Sequence, residues 1–195
     1  MKANLVVLAL ASVAIVLTGC AKQSLSPATA STSFDAEAAL SNSTVSDEDD
    51  DIDDEDAQLD EADFDEIADR IVALTRDLAG GAEVRRTGSA GRLPLGAVTP
   101  LAMVLAELLS NAVQHGLAGQ PGLVTLQLER SGRRITAEVR DDGVGLPEGF
   151  SPAHSAGLGL RIVRTLVAEE LSGAVTWEPS LPTGTTVAVD VLLPP

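Results

Sequence analysis

Across residues 62–195 the hydrophobic and polar positions follow two regular periods, and these periods define most of the expected elements. Phe64, Ile67, Ile71, Leu74 and Leu78 recur at helical spacing, and Gly80-Gly81 follows as a stop, which predicts an amphipathic helix. Residues 82–86 are then a short strand candidate. Thr99-Pro100 predicts the opening of a second helix, with threonine as N-cap and proline at the first helical position, where its missing N–H costs nothing. Leu101, Val104, Leu105, Leu108, Ala112 and Val113 form its apolar stripe, and Gly116 closes it.

Period-two alternation takes over downstream. Val124, Leu126 and Leu128 alternate with Thr125, Gln127 and Glu129; Ser131-Gly132 turns; Ile135, Ala137 and Val139 alternate with Thr136, Glu138 and Arg140. One apolar and one polar face fits an antiparallel sheet covered on one side better than a doubly wound parallel sheet. Residues 146–156, with Pro147, Gly149 and Pro152, read as a loop able to cover a ligand. Gly157-Leu158-Gly159 then opens a helix with Leu160, Val163, Leu166 and Val167 on its apolar side, ending near Gly173. Strands over 174–177 and 185–193 complete the pattern. The order helix, strand, helix, two strands, loop, helix, two strands predicts an α+β domain, a two-layer sandwich with a mixed, mainly antiparallel sheet. Some 130 residues are enough for one core.

Composition changes the picture mainly ahead of that domain. The 195 residues carry a net charge of −16, one cysteine and two histidines. Much of the negative charge lies in one run, residues 47–56, too dense in like charge to collapse and expected to be a disordered, solvated linker. It lacks the central glycine and terminal glutamate of a calcium loop. Residues 21–46 are rich in Ser, Thr and Ala and read as a tether, so 21–61 forms one linker. Met1-Lys2 precedes an apolar stretch over residues 5–16 and then Leu17-Thr18-Gly19-Cys20, which resembles the signal and lipobox of bacterial lipoproteins. Residues 1–20 are therefore expected to be a leader, with Cys20 taking the lipid and anchoring the protein to a membrane. The alternatives are a short membrane anchor or a buried helix, although the stretch falls short of the ~20 apolar residues that span a bilayer. A single cysteine excludes an internal disulfide and a multi-cysteine metal site. The basic residues form no stripe interleaved with aromatics, which argues against nucleic acid as a partner.

Three segments carry candidate chemistry. On the second helix Glu107, Asn111 and the pair Gln114/His115 stack at successive turns beside the apolar stripe. Asp141-Asp142-Gly143-Val144-Gly145 ends a strand with a carboxylate at the lip of a glycine turn, where glycines allow close backbone approach. A hairpin is the ordinary reading of Asp-Gly, but no matching strand begins after Leu146-Pro147. Gly157-Leu158-Gly159-Leu160 runs a glycine turn into a helix, a place where phosphates meet backbone N–H groups and the positive helix end. No Gly-x-x-x-x-Gly-Lys-Ser/Thr is present, and Gly143-Val144-Gly145 lacks the third glycine of a dinucleotide fingerprint.

The order of these three segments resembles the ATP-binding domain that unites sensor histidine kinases, gyrase, Hsp90 and MutL, most closely the histidine kinase type. That resemblance covers residues 62–195 and implies a Bergerat-type fold with the sheet covered by helices on one face. It implies ATP and Mg2+ as cofactors, with Asn111 coordinating the metal and Glu107 positioning or activating the attacking group. Asp141 would accept a hydrogen bond from the adenine amino group, and Gly143 and Gly145 would let the backbone meet the base. The 146–156 loop would be the lid, and Gly157, Leu158, Gly159 and Leu160 would border the phosphates, with His115 and Thr185 completing the nucleotide site. Gln114 stands where many such kinases carry a basic residue; His115 or Arg161 could supply that charge. His115 also reads as a neutral helix-end histidine, and His154 as a solvent-exposed one.

No histidine precedes His115, so a phosphoacceptor helix is not expected in this chain, and a response regulator or phosphoacceptor protein would act in trans. Three functions stay open: an ATP-binding histidine kinase fragment, a stand-alone serine kinase of the anti-sigma type, and a tethered nucleotide-binding module without catalysis. A lipobox directs a protein across the membrane, away from ATP, so the leader and the domain point to different sides. A cytoplasmic location follows if the leader is not used.

Overall fold

The computed structural model describes residues 61–151 and 157–195. The expected leader, Cys20, the expected linker up to residue 60, and His154 with the adjoining part of the expected lid lie outside the described residues. The described part begins with β1 (Glu61–Asp63) and α1 (Phe64–Leu78), followed by β2 (Glu83–Gly88), β3 (Arg92–Pro94) and α2 (Leu95–Asn111), which continues as a π-helical turn over Ala112–Gly116. Then come β4 (Leu123–Ser131), β5 (Arg134–Asp141), α3 (Leu158–Thr165) with a second π turn over Leu166–Glu170, β6 (Ala174–Pro179) and β7 (Thr185–Leu192).

The main sheet has the order β2-β4-β5-β7-β6, with β2 parallel to β4 and every other pair antiparallel. Alternation in each strand aligns the apolar side chains in rows across it. Leu126 faces Val139, which faces Val187, which faces Trp177; the next row runs Leu128, Ala137, Val189 and Val175. These rows pack with Phe64, Ile71, Leu101, Leu105, Leu109 and Val163 from the helices into one core. Each fully buried aliphatic chain there contributes about 1.5–3 kcal/mol. The opposite face is polar, with Thr136 donating its hydroxyl to Asp190 at 3.1 Å. The expected two-layer sandwich with a mixed, mainly antiparallel sheet is thus the observed one.

Three features depart from the sequence reading. Helix α2 starts at Leu95, five residues before Pro100, so Thr99 is not its N-cap and Pro100 lies inside the helix. Burial of Ala97, Val98 and Pro100 accounts for this, because starting at Pro100 would strip an apolar turn from the core. A proline so close to the helix start forfeits only one backbone bond. Second, Leu74 and Leu78 share the α1 stripe yet are 37% and 58% exposed, so the last turns of α1 lie outside the core. Third, β1 and β3 pair as a small antiparallel ribbon.

Asp65 joins that ribbon to α1. Its carboxylate accepts hydrogen bonds from the Ser89 hydroxyl, from the Ala90 and Gly91 N–H groups at 3.0 and 3.1 Å, and from Arg86 at 3.3 Å. Burial alone would raise its pKa, but these donors together hold it below the usual carboxylate value. Asp63 caps α1 by accepting from the N–H groups of Asp65 and Glu66.

Candidate functional site

The polar stripe of α2 lies at the margin of the core. Glu107 and Asn111 are half-buried, and the Asn111 amide Nδ2 donates to Glu107 Oε1 at 3.0 Å. That bond fixes the amide so that its carbonyl oxygen remains available as a hard ligand. Burial is the main influence on Glu107 and raises its pKa, against smaller opposing effects of Asn111 and His115. Gln114 turns back to the Ser110 hydroxyl, and His115 is exposed on the π turn.

One and a half turns further on, the same helix reaches the second carboxylate. Asp141 ends β5 and is only 4% exposed. Gly143 N–H donates to its Oδ1 at 3.0 Å, and the backbone N–H and hydroxyl of Thr185 donate to the same carboxyl. Desolvation nevertheless dominates and raises the Asp141 pKa. Glycines surround this group because there is room for nothing else. A Cβ at Gly116 would come within 2.6–2.8 Å of the Asp141 carboxyl atoms, one at Gly143 would collide with the Gly116 carbonyl oxygen, and one at Gly184 with the Asp141 carbonyl oxygen. Val144 N–H bonds the Gly116 oxygen at 2.9 Å, which locks the turn onto the end of α2. Gly145 has φ +78° and reaches the turn that holds Gly184. Asp142 faces the other way, accepting from Leu123 N–H at 2.8 Å and so fixing the start of β4.

Glycines recur on the third segment. Gly157 caps α3 in an extended conformation, Leu158 is 60% exposed, Gly159 is buried and Leu160 is half-buried. A Cβ on Gly159 would overlap the Glu107 carboxyl. The structure therefore brings Glu107, Asn111 and Gly159 together at one end of the site and Asp141, Gly143, Gly145 and Thr185 at the other, with α2 as the common floor. His115 is on that floor with no bond to either carboxylate. Gly116 and Gly184 were not among the expected site residues. Their sequence signal is slight, since Gly116 reads as a helix stop and Gly184 as a turn, and only the tertiary contact shows their use.

Among the described residues no three His, Cys, Asp or Glu side chains converge to hold a metal by themselves. The arrangement instead offers one amide oxygen beside one carboxylate, a donor set suited to a hard cation that keeps most of its other ligands from water or phosphate.

Comparison with known proteins bears on the family and the fold. The sequence profile of the histidine kinase-, DNA gyrase B- and HSP90-like ATPases matches residues 96–195. The sensor histidine kinase PdtaS of Mycobacterium tuberculosis is 41% identical over 133 residues, covering 66% of this chain and 26% of that protein. Blue-light-activated histidine kinase 2 of Erythrobacter litoralis is 34% identical over 103 residues, covering 52% of this chain and 29% of its own length. The chain thus spans about a quarter of the curated relatives it matches. Among solved structures, the histidine kinase domain of an Erythrobacter litoralis blue-light-activated kinase superposes with TM-score 0.58 at 27% identity, covering 65% of this chain and 61% of that one. The ATP-binding domain of PrrB from Mycobacterium tuberculosis shares the fold, with TM-score 0.59 at 23% identity over 69% of this chain and 97% of that one.

Proposed function

Because this chain belongs to the histidine kinase-, DNA gyrase B- and HSP90-like ATPase family, we propose that residues 61–195 bind ATP with Mg2+ and pass its terminal phosphoryl group to a phosphoacceptor protein in trans. The observation that carries this reading is the placement of two separately built carboxylates along one helix: Glu107 on α2 itself, bonded to Asn111, and Asp141 at the end of β5, set against Gly116 of the π turn and flanked by Gly143, Gly184 and Thr185. A buried carboxylate with its backbone donors satisfied on one side is suited to read an exocyclic amino group, here that of adenine. Gly143 and Gly145 let the turn close against Gly116 and Gly184 beside that carboxylate. Leu158, Gly159 and Leu160 supply the N–H groups of the first turn of α3, which carry partial positive charge toward phosphate oxygens.

Asn111 would hold the magnesium through its amide oxygen. When bound, that ion would neutralise charge on the phosphates. Glu107 would orient the attacking group and accept its proton at Oε1 or Oε2, and its half-buried setting restrains water.

Calorimetric titration tests the assignment. Asn111→Ala is expected to weaken magnesium-dependent ATP binding by about 10- to 100-fold, the range seen when groups around a bound metal are lost, and to leave metal-free ADP binding largely intact. Equal loss in both titrations would remove Asn111 from the metal. Labelled phosphate from ATP should then appear on an added response-regulator or phosphoacceptor protein, and its appearance on serine would favour the anti-sigma-type reading.

The leader-like segment supports a further part of the proposal, attachment to a membrane by lipid on Cys20. Wild-type protein should incorporate labelled palmitate in a bacterial host and Cys20→Ser should not. Equal labelling of the two would exclude Cys20.

A further inference from the structure

Gly157 and Gly159 sit two residues apart at the start of α3, yet their surroundings differ. Gly157 is exposed, and a side chain there would meet nothing within 4 Å. Gly159 is buried, its Cα directed inward at the carboxyl of Glu107, so that even a methyl group would overlap Oε1 and Cδ and crowd Cγ at 3.1 Å. Gly159 has no positive φ. Its backbone is ordinary helix, where alanine is the better residue by intrinsic preference. Neither conformation nor helix propensity calls for glycine here, and an alanine would keep the N–H that a phosphate could use. What a side chain here would meet first is Glu107, whose carboxyl would have to move aside.

We propose that Gly159 is a positioning residue for Glu107: its bare Cα is the seat that holds the carboxyl against the Asn111 amide. Adding a methyl group displaces the carboxyl, and the 3.0 Å bond from Asn111 breaks with it. The inference rests on the reading of Glu107 as the group that orients or activates the attacking atom, but its structural half can be tested without that reading.

The test uses the full chain in four forms: wild type, Gly159→Ala, Glu107→Ala and the double variant. If Glu107 is what forbids a side chain, Gly159→Ala lowers Tm in the wild-type background and raises it in the Glu107→Ala background, where the better helix former meets no obstacle. The same sign in both backgrounds overturns the proposal. Should Gly159→Ala fail to fold, folding of the double variant supports the seat, and its failure to fold overturns it. Function supplies the second readout. Gly159→Ala should keep its affinity for magnesium-ADP while ATP turnover falls to the level of Glu107→Gln. Loss of nucleotide affinity that is the same with Glu107 present or absent would assign the glycine to the phosphates and overturn the proposal. Unchanged turnover in Glu107→Gln would instead overturn the assignment of Glu107, and the Tm signs would still decide the seat.

Discussion

Replacing Glu107 with glutamine is expected to cut ATP turnover by about 10²- to 10⁴-fold, the contribution usual for a positioned general base, while making the domain more stable at neutral pH. Both effects come from one cause. The carboxyl is half-buried against Gly159, and burial raises its pKa above the ordinary value of 4.5. The folded state therefore holds the Glu107 proton more tightly than the unfolded chain does. Its contribution to stability is fully present below pH 4.5 and is lost as pH rises through the folded-state value. Near neutrality the ionised group opposes folding. Glutamine keeps the oxygen that accepts from Asn111 and cannot ionise, so it removes that opposition. Residual solvent access screens the charge, so the gain is a modest rise in Tm. Thermal melts of both proteins from pH 4 to 8 check the sign: the gain should be largest at the alkaline end and shrink on acidification. A gain independent of pH would show that the charge of Glu107 is not its source.

Asp141→Ala is expected to weaken ATP and ADP alike by roughly 10- to 150-fold, because a hydrogen bond to a charged acceptor contributes about 1.5–3 kcal/mol. Dependence on magnesium should be unaltered, since Asp141 lies at the opposite end of the site from Asn111. The substitution also leaves the N–H of Gly143 and both donors of Thr185 without their acceptor. Stability should therefore fall as well, by about 1–3 kcal/mol. Calorimetry with both nucleotides, performed where the variant is fully folded, separates the two losses. Equal affinity of wild type and variant would mean that Asp141 does not read the base.

The sheet was legible because period-two alternation is a local property. Val124, Leu126 and Leu128 against Ile135, Ala137 and Val139 announce a one-sided hairpin from their alternation alone, and the register confirms it. Helix α1 was legible for the same kind of reason, its apolar period bounded by Gly80-Gly81. The start of α2 was not. Thr99-Pro100 has the local chemistry of a helix opening, but the burial of Ala97 and Val98 outweighs it. The β1–β3 ribbon pairs strands of three residues, too short to show any period, and depends on the side chain of Asp65. In the site, the residue types and order of Glu107, Asn111, Asp141 and Gly159 could be read; the fold sets Glu107, Asn111 and Gly159 beside one another and Asp141 against the far end of the same helix. The glycine seats could not be read, because the contacts of Gly116 with Asp141 and of Gly159 with Glu107 join residues 25 and 52 positions apart.

The π turn at the end of α2 has a consequence for which sequence changes the domain can accept. Leu117 N–H bonds the Ala112 oxygen, five residues back, so one residue more than an α-helical turn would use is held between Asn111 and the glycine that faces Asp141. Each residue of a regular helix advances the chain by about 100° and 1.5 Å. A deletion anywhere from Ala112 to His115 would shift the angular phase of Gly116 by about that amount and swing a side chain toward Asp141, whatever residues remained. Substitutions at the exposed Gln114 and His115 should be absorbed. Length here is the invariant, and the spacing between Asn111 and Gly116 is a stricter requirement than the identity of the residues that fill it.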